Sequence, residues 1–418
     1  MNKNAPQKLR VLIIVNRLYE WSQNFITREL VELNRQGVEV YIGAREMVKR
    51  DDLTEEEINL QDNFILLPEN PFSPSCLWRH FRFKTEYPKI YFRVWKHFFS
   101  FGHKRPSKIG RSLVCLFRAA SIAEIIIKKR INLIHAHFMT APAETALYLS
   151  ILTEIPFGCT SHAYDIYRDK SGMLKKLKQT AYMITETKAN IDFFVETWQA
   201  DTSKIHQIYN SLPLTTSNNH VKKRHTPFTF IAVGRLVPKK GFEYLIKACQ
   251  HLKMQGYEFR CKIIGQGILR EKLASTARTL AVTDVVDFEG YVPPNKMHEV
   301  YEDGDVLVMP SIIESNGDRD GLPTVCMEAL SHGLPLVCSE VSGLPECIVE
   351  DKNGKIVPQK HSQALAKAMA AIMHATNFDS LREYSVKIAA LKFDSQKNVP
   401  RIKVIMKRHA KTLTRLKP

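Results

Sequence analysis

The chain has 418 residues, 44% of them hydrophobic and 25% charged, a balance that excludes a largely disordered protein. It is too long for one ordinary core, so about two domains of α/β size are expected. With 60 Lys and Arg against 43 Asp and Glu, a net charge of +17, it suits an anionic partner: nucleic acid, a membrane surface or phosphorylated small molecules.

The N-terminal apolar run, Val11 to Val15, is too short for a signal-peptide core and fits a first β-strand. Further strands are expected at VEVYIG, FILLP, NLIHAHF, FGCTSH, YMITET and IHQIY, with helix-length segments between them. Apolar runs without strict alternation indicate parallel strands covered on both faces. The most apolar helical stretch, SLVCLFRAASIAEIIIKK, is broken by Arg118 and Glu124. No stretch reaches the roughly 20 apolar residues that span a bilayer. The eight cysteines are scattered, with no CxxC pair or Cys/His cluster. That pattern implies buried thiols in a reducing cytoplasm, no disulfide frame and no metal site.

Trp78 to Arg111 stands apart: ten Lys/Arg, ten aromatics and one acid, Glu86. Basic residues interleaved with rings suit the headgroup layer of an anionic membrane. An amphipathic helix pair packing its rings inward is the ordinary alternative, and single-stranded nucleic acid is the least favoured partner. Beyond it, IHAHF supplies His135 and His137, and TSHAYDIY supplies His162 and Asp165. A neutral imidazole at TSHAYDIY could hydrogen-bond a ligand or steady developing charge. A strand-end histidine is more often a satisfied core residue, which weighs against His135 and His137.

A polar stretch, Thr215 to Pro227, has linker composition, and the strand pattern restarts after it at FTFIAVG, RCKIIG, VVDFEG, VLVMP, LPLVCS and GKIVP. Two tandem doubly wound Rossmann-like α/β domains facing an interdomain cleft are therefore expected. The boundaries are 1–211, with the basic-aromatic insertion at 78–111, then 212–390, and a C-terminal helix in 391–418 returning to the first domain.

In the second half, AVGRLVPKKGFEYLIKA places Arg235 and Lys240 on the loop after a strand. A guanidinium and an ammonium there suit a diphosphate; a solvated basic loop is the bland alternative. IIGQG adds Gly265 and Gly267, which permit close backbone approach, although a lone GxG is weak evidence. DRDGLPTVCMEAL then runs from a loop into a helix expected to start near Pro323, whose outward N–H groups at Gly321, Leu322 and Thr324 suit phosphate. Asp320 lies beside that helix start and Glu328 about two turns along it. Carboxylates beside a phosphate cradle make sense where they accept sugar or ribose hydroxyls. The combination points to a nucleotide-sugar site. Asp320 as a helix cap and Glu328 as a surface charge is the competing structural account.

VGRLVPKKGFEYLI, IIGQG, VDFEGYV, DGLPTVCMEALSHGLPLVCSEVSGLPECI and NGKIVP together resemble the C-terminal half of the retaining family 4 glycosyltransferases of GT-B fold. The closest flavour is the exopolysaccharide group of colanic-acid and amylovoran enzymes. The resemblance runs from about residue 10 to 395, specific in the second half, diffuse in the first, and absent from about 68 to 130. RLYEWSQNFITREL is similar to an early family segment but lacks its usual acid at Ser22-Gln23-Asn24. The family's acid-x7-acid motif usually begins with Glu; here it begins with Asp320, one methylene shorter.

The resemblance implies that Arg235 and Lys240 hold the donor diphosphate, with Gly265, Gly321, Leu322 and Pro323 in the donor site. Asp320 would meet the transferred sugar, Glu328 the ribose and His162 the reaction centre, with His137 and Asp165 as weaker sugar or acceptor contacts and Glu346 structural. It further implies a nucleoside-diphosphate sugar donor, a lipid-linked or glycan acceptor, retention, no cofactor and no required metal. The expected setting is the inner face of the cytoplasmic membrane, with nucleic acid not a partner. Three rivals remain: Asp318 and Asp320 as a DxD metal motif, a sugar epimerase, and a non-catalytic basic scaffold for membrane or nucleic acid.

Overall fold

A computed structural model describes residues 8–20, 23–100, 106–168, 172–214 and 224–412. Trp21 and Ser22, most of the Thr215–Pro227 stretch and part of the basic-aromatic segment lie outside the described residues. The chain forms two compact units. One comprises residues 1–185, 191–208 and 395–418; the other comprises 186–190 and 209–394.

The first unit is built on seven parallel strands: β1 (Arg10–Ile14), β2 (Glu39–Ala44), β3 (Phe64–Leu66), β4 (Leu133–His137), β5 (Phe157–Ser161), β6 (Met183–Thr185) and β7 (Ile205–Gln207). Their order is β3-β2-β1-β4-β5-β6-β7. Alternate residues of β1 enter two different apolar layers: Leu12 and Ile14 pack on one face, Val11 and Ile13 on the other. That explains a run with no polar alternation, and burial of each large side chain contributes about 2 kcal/mol.

The second unit has six parallel strands: β8 (Phe228–Val233), β9 (Phe259–Ile264), β10 (Val286–Gly290), β11 (Val306–Met309), β12 (Leu336–Ser339) and β13 (Gly354–Val357). Their order is β10-β9-β8-β11-β12-β13. Phe228 and Phe230 pack on one face of β8, and Ile231 and Val233 on the other. Each unit is thus a Rossmann-like sheet in which the strand order reverses once, between β1 and β4 and between β8 and β11. Ligands of such sheets bind beyond the carboxyl ends of the strands at that reversal.

The helix Ser395–His409 lies in the first unit, where Val399, Ile402 and Met406 join the apolar layer of Val11 and Ile13. The basic-aromatic segment forms two helices, Pro74–Glu86 and Pro88–Ser100. Phe83, Val94 and Phe98 are buried, while Trp78, Phe81, Phe92 and Phe99 are 61%, 56%, 63% and 73% exposed. One face of the segment therefore packs, as the ordinary account expects, and the other presents rings to solvent. Among the described residues, no helix is long and apolar enough to cross a membrane. All eight cysteines are free and buried.

Candidate functional site

The second unit's reversal point carries the cationic turn and the acidic loop of the sequence. After β8 the chain makes a short turn, Pro238–Lys240, and Gly241 follows with φ of +65°. A side chain at Gly241 would put its Cβ 2.0 Å from the Pro310 carbonyl oxygen, so only glycine lets the turn close against the end of β11. Ile312 N–H donates to the Lys239 carbonyl across the same junction. Gly265 approaches the Gly234 carbonyl equally closely, joining the ends of β8 and β9.

That closure brings two lysines onto two aspartates. Lys240 Nζ lies 2.9 Å from Asp320 Oδ2, and Lys239 Nζ lies 3.0 Å from Asp318 Oδ1. Ser311, just beyond β11, donates to Asp320 Oδ2 at 2.7 Å. Asp320 and Lys240 are each 8% exposed. Burial pushes the Asp320 carboxyl up, but the charges of Lys240 and Lys239 and the hydrogen bonds outweigh it and hold the group below its ordinary value. Asp320 Oδ1 faces Lys239 at 4.0 Å, outside hydrogen-bond range. An ammonium has three donors, so Lys240 can hold Asp320 and still offer N–H to a phosphate oxygen.

The helix after this loop is Thr324–Ser331, with Pro323 at its N-cap. Proline thus sits one place before the expected first helical position, and no side chain caps the helix. Among the described residues, no protein acceptor takes the N–H of Gly321, Leu322 or Thr324, as an anion cradle requires. Arg235 is exposed at the rim. Glu328 Oε2 accepts a hydrogen bond from Tyr301 at 2.8 Å, which orients the carboxylate. Glu346 accepts from the N–H groups of Lys188 and Ala189 and from the Tyr209 hydroxyl, tying residues 186–190 to the second unit.

At the first unit's reversal point the chemistry is different. His162 directly follows β5, stacks on His137 at 5.6 Å between centroids, and is flanked by Phe25 and Phe138 at 4.9 and 4.5 Å. His137 Nδ1 and His162 Nε2 are 3.3 Å apart. His137 is fully buried, and His162 is nearly so, at 4% exposed. Asp165 is also fully buried: its carboxylate accepts the N–H of Met139 at 2.5 Å and of His162 at 2.8 Å, and the Ser161 hydroxyl at 3.1 Å. Burial raises its carboxyl despite these donors and the nearby His162. The expectation of a sugar contact at Asp165 is therefore corrected: it clamps the loop after β4. Lys176, a buried residue the sequence did not single out, donates to the carbonyl of the same Met139. The two bonds hold Phe138 at φ of +75°, a strained value for a non-glycine, with its ring against His162.

The sequence missed Lys239, Asp318's pairing and Ser311; the only signal was the doubling of PKK and DRD. Against the DxD account, both acids already face ammonium groups, which a cation would have to displace. Glu29, His135 and His137 bring ligand-type atoms within 4.8 Å of one another. Both His135 nitrogens, however, are engaged by Tyr182 and Thr160 at 3.0 and 2.9 Å, and two remaining ligands are too few for a stable site.

The two-sheet architecture is shared with solved glycosyltransferases of GT-B fold. A glycosyltransferase from Rickettsia africae ESF-5 superposes with a TM-score of 0.68 at 16% identity, over 96% of this chain and 98% of that one. Anabaena HepE, solved in complex with UDP, gives 0.68 at 16% identity over 96% and 100%. Residues 215–390 match the family profile described as Glycosyl transferases group 1. The putative colanic acid biosynthesis glycosyltransferase WcaL of Escherichia coli is 38% identical over 36% of this chain and 37% of its own length. The amylovoran biosynthesis glycosyltransferase AmsK of Erwinia amylovora is 37% identical over 34% and 35%. The alignments thus span little more than a third of these relatives.

Proposed function

We propose that the protein is a glycosyltransferase that moves a hexosyl group from a nucleoside diphosphate to a lipid-linked or glycan acceptor, with retention, in surface polysaccharide biosynthesis. The observation that carries this reading is the Lys239–Lys240 turn facing Asp318 and Asp320 beside an uncapped helix start. Lys240, Arg235 and the N–H groups of Gly321, Leu322 and Thr324 stabilise the departing diphosphate. Asp320 Oδ1 accepts a hydroxyl of the transferred sugar, and Glu328 a ribose hydroxyl. His162, in the first unit, is the residue there best suited to hydrogen-bond a sugar hydroxyl. No cofactor takes part, and no metal is needed where two lysines already supply the charge. The HepE complex with UDP and the family match support a nucleotide donor.

The test is transfer by the purified protein with UDP-, GDP- and ADP-sugars, after a thermal-shift screen to find the donor that raises stability. Donor binding that is unaffected by Lys240→Ala would sink the reading. Activity in EDTA separates it from the DxD account.

The cytoplasmic membrane face is the proposed workplace. Exposed Trp78, Phe81, Phe92 and Phe99 alternate with exposed Arg79, Lys84, Lys89 and Lys96, which suits an anionic headgroup layer. A hollow of about 410 Å³ lined by Arg93, Lys96, His97, Ser100, Ser150 and Gln179 lies in the same unit, with size and charge for a headgroup phosphate. Arg82 and Arg93 are already paired with Glu124 and Glu154, whereas no ion pair is seen at Lys84, Lys89 or Lys96 among the described residues. Flotation with anionic liposomes should fall with rising salt and in a Lys84/Lys89/Lys96→Glu variant.

A further inference from the structure

Residues 311–320, between β11 and the helix Thr324–Ser331, contain no helix or strand, yet they carry both aspartates of the second unit's site. Inside this loop the backbone turns on itself. Glu314 N–H donates to the Asp318 carbonyl and Gly317 N–H to the Glu314 carbonyl, with Gly317 at φ of +86°. Such bonds shape a turn but do not fix it to its surroundings; contacts with neighbouring elements do that. Ile313 N–H donates to the Gln359 side chain at 2.8 Å, and Lys240 holds Asp320. Lys239 engages the loop twice. Its carbonyl accepts the Ile312 N–H at 2.8 Å, while its ammonium donates to Asp318 Oδ1 at 3.0 Å and to the Arg319 carbonyl at 3.5 Å. One residue thus grips both the beginning and the end of the loop.

The two neighbouring lysines are therefore used differently. Two of the three Lys239 donors are spent on residues 318 and 319. The Lys239 side chain is 13% exposed and that of Asp318 9%, so solvent screens the pair little. A phosphate oxygen that took Lys239 would have to displace Asp318 and leave its charge largely buried, which is costly. At 4.0 Å from Asp320 Oδ1, Lys239 still lends its charge to keeping that carboxyl ionised. Asp320 follows Asp318 by two residues, so a loop released at 318 no longer holds 320 in one place.

We propose that Lys239 is a positioning residue that staples this loop at both ends and so sets where Asp320 stands, and that it is not itself a ligand of the donor diphosphate. The inference rests on Asp320 meeting the transferred sugar, as proposed above.

The experiment uses the whole protein and three variants: Lys239→Met, Asp318→Ala and the double variant. The double variant leaves neither charge unpaired and serves if a single one folds poorly. Without donor, hydrogen exchange over residues 312–320 should speed up on the order of 10-fold in each, while exchange in β8 and β11 stays as in wild type. In the transfer assay, with the UDP-, GDP- or ADP-sugar found by the thermal-shift screen, each single variant should lose on the order of 10-fold in kcat. Donor KM should stay within about twofold of wild type, because Asp320 is misplaced while Lys240 and the helix start still hold the diphosphate. The double variant should lose no more than either single one, since all three cut the same link. Asp318→Ala leaves the Lys239 charge in the protein, so its kcat loss reports the staple and not the missing cation. Lys239→Arg should recover part of both signals. Unchanged exchange over 312–320 overturns the proposal. So does a Lys239→Met protein with raised donor KM beside an Asp318→Ala protein with wild-type kcat, the pattern of a direct diphosphate ligand. If no donor is turned over, the proposed activity fails, and the exchange rates still decide whether Lys239 holds the loop.

Discussion

Two strand-order reversals occupy the same place in two sheets of the same kind, yet they carry opposite chemistry. Beyond β8 and β11 the residues are charged and paired, two lysines against two aspartates, with Asp320 held ionised. Beyond β1 and β4 the side chains are a column of buried rings ordered by hydrogen bonds, and the local aspartate, Asp165, is sealed inside with its carboxyl pushed up by burial. Both aspartates are buried and accept a serine hydroxyl. What separates them is that ammonium groups lie directly against Asp320, while Asp165's hydrogen-bond donors are neutral and the nearby Lys176 ammonium is turned to the Met139 carbonyl. Topology supplies the position of a site; the nearest charges decide what the site can do.

The harshest way to break this contrast is to remove the charge that defines it. Lys240→Ala strips the nearest cation from a buried carboxylate and should cost about 3 kcal/mol in chemical denaturation, with donor turnover reduced on the order of 10²-fold or more. A variant as stable and active as wild type would show that the pair is incidental. Asp320→Asn keeps the shape and removes the charge, and it should lose on the order of 10²-fold in turnover by the same electrostatic argument.

Acid titration compares the two aspartates directly. The folded-state value of Asp320 is lowered, so its contribution to stability is fully present above about pH 3.9, the ordinary carboxyl value. That contribution is lost as pH falls through the lower folded value. Asp165 is raised, so the folded state binds its proton more readily; stability is gained as pH falls through its folded value toward 3.9. Stability curves of wild type minus Asp320→Asn and wild type minus Asp165→Asn should therefore bend in opposite directions with decreasing pH. Parallel curves would erase the distinction.

Smaller effects sharpen the donor side. Arg235 is exposed, so Arg235→Ala should leave stability within about 0.5 kcal/mol while donor KM rises about 10-fold, the worth of one charged hydrogen bond. Glu328→Gln weakens the bond from Tyr301 to a neutral one and should cost about 1 kcal/mol in thermal denaturation, the least of the set.

All thirteen strands were legible: the central ones are short apolar runs buried on both faces, and outer ones such as β7 and β10, only partly buried, are marked by β-branched or aromatic residues between turn residues. The second site was legible to the extent that its residues are close in sequence: Gly321, Leu322, Pro323 and Glu328 follow Asp320 within eight positions. Pro323 shifted by one place because proline suits the N-cap as well as the first turn. Lys239 was passed over because nothing local distinguishes it from Lys240; its partner, Asp318, is 79 positions away. In the first unit, His162 and Asp165 were visible as a motif, but the sealing of Asp165 was not, since one of its three donors, the Met139 N–H, comes from another strand's loop.

The sequence by itself determined the two parallel sheets, the restart between them and the cationic and acidic loops of the second, because periodicity and turn chemistry are local properties of the chain. Tertiary structure alone decided which lysine faces which aspartate and that His137 stacks on His162. Those outcomes depend on distances between residues tens of positions apart, and on the burial that makes each proton and charge count; neither is encoded in any single stretch.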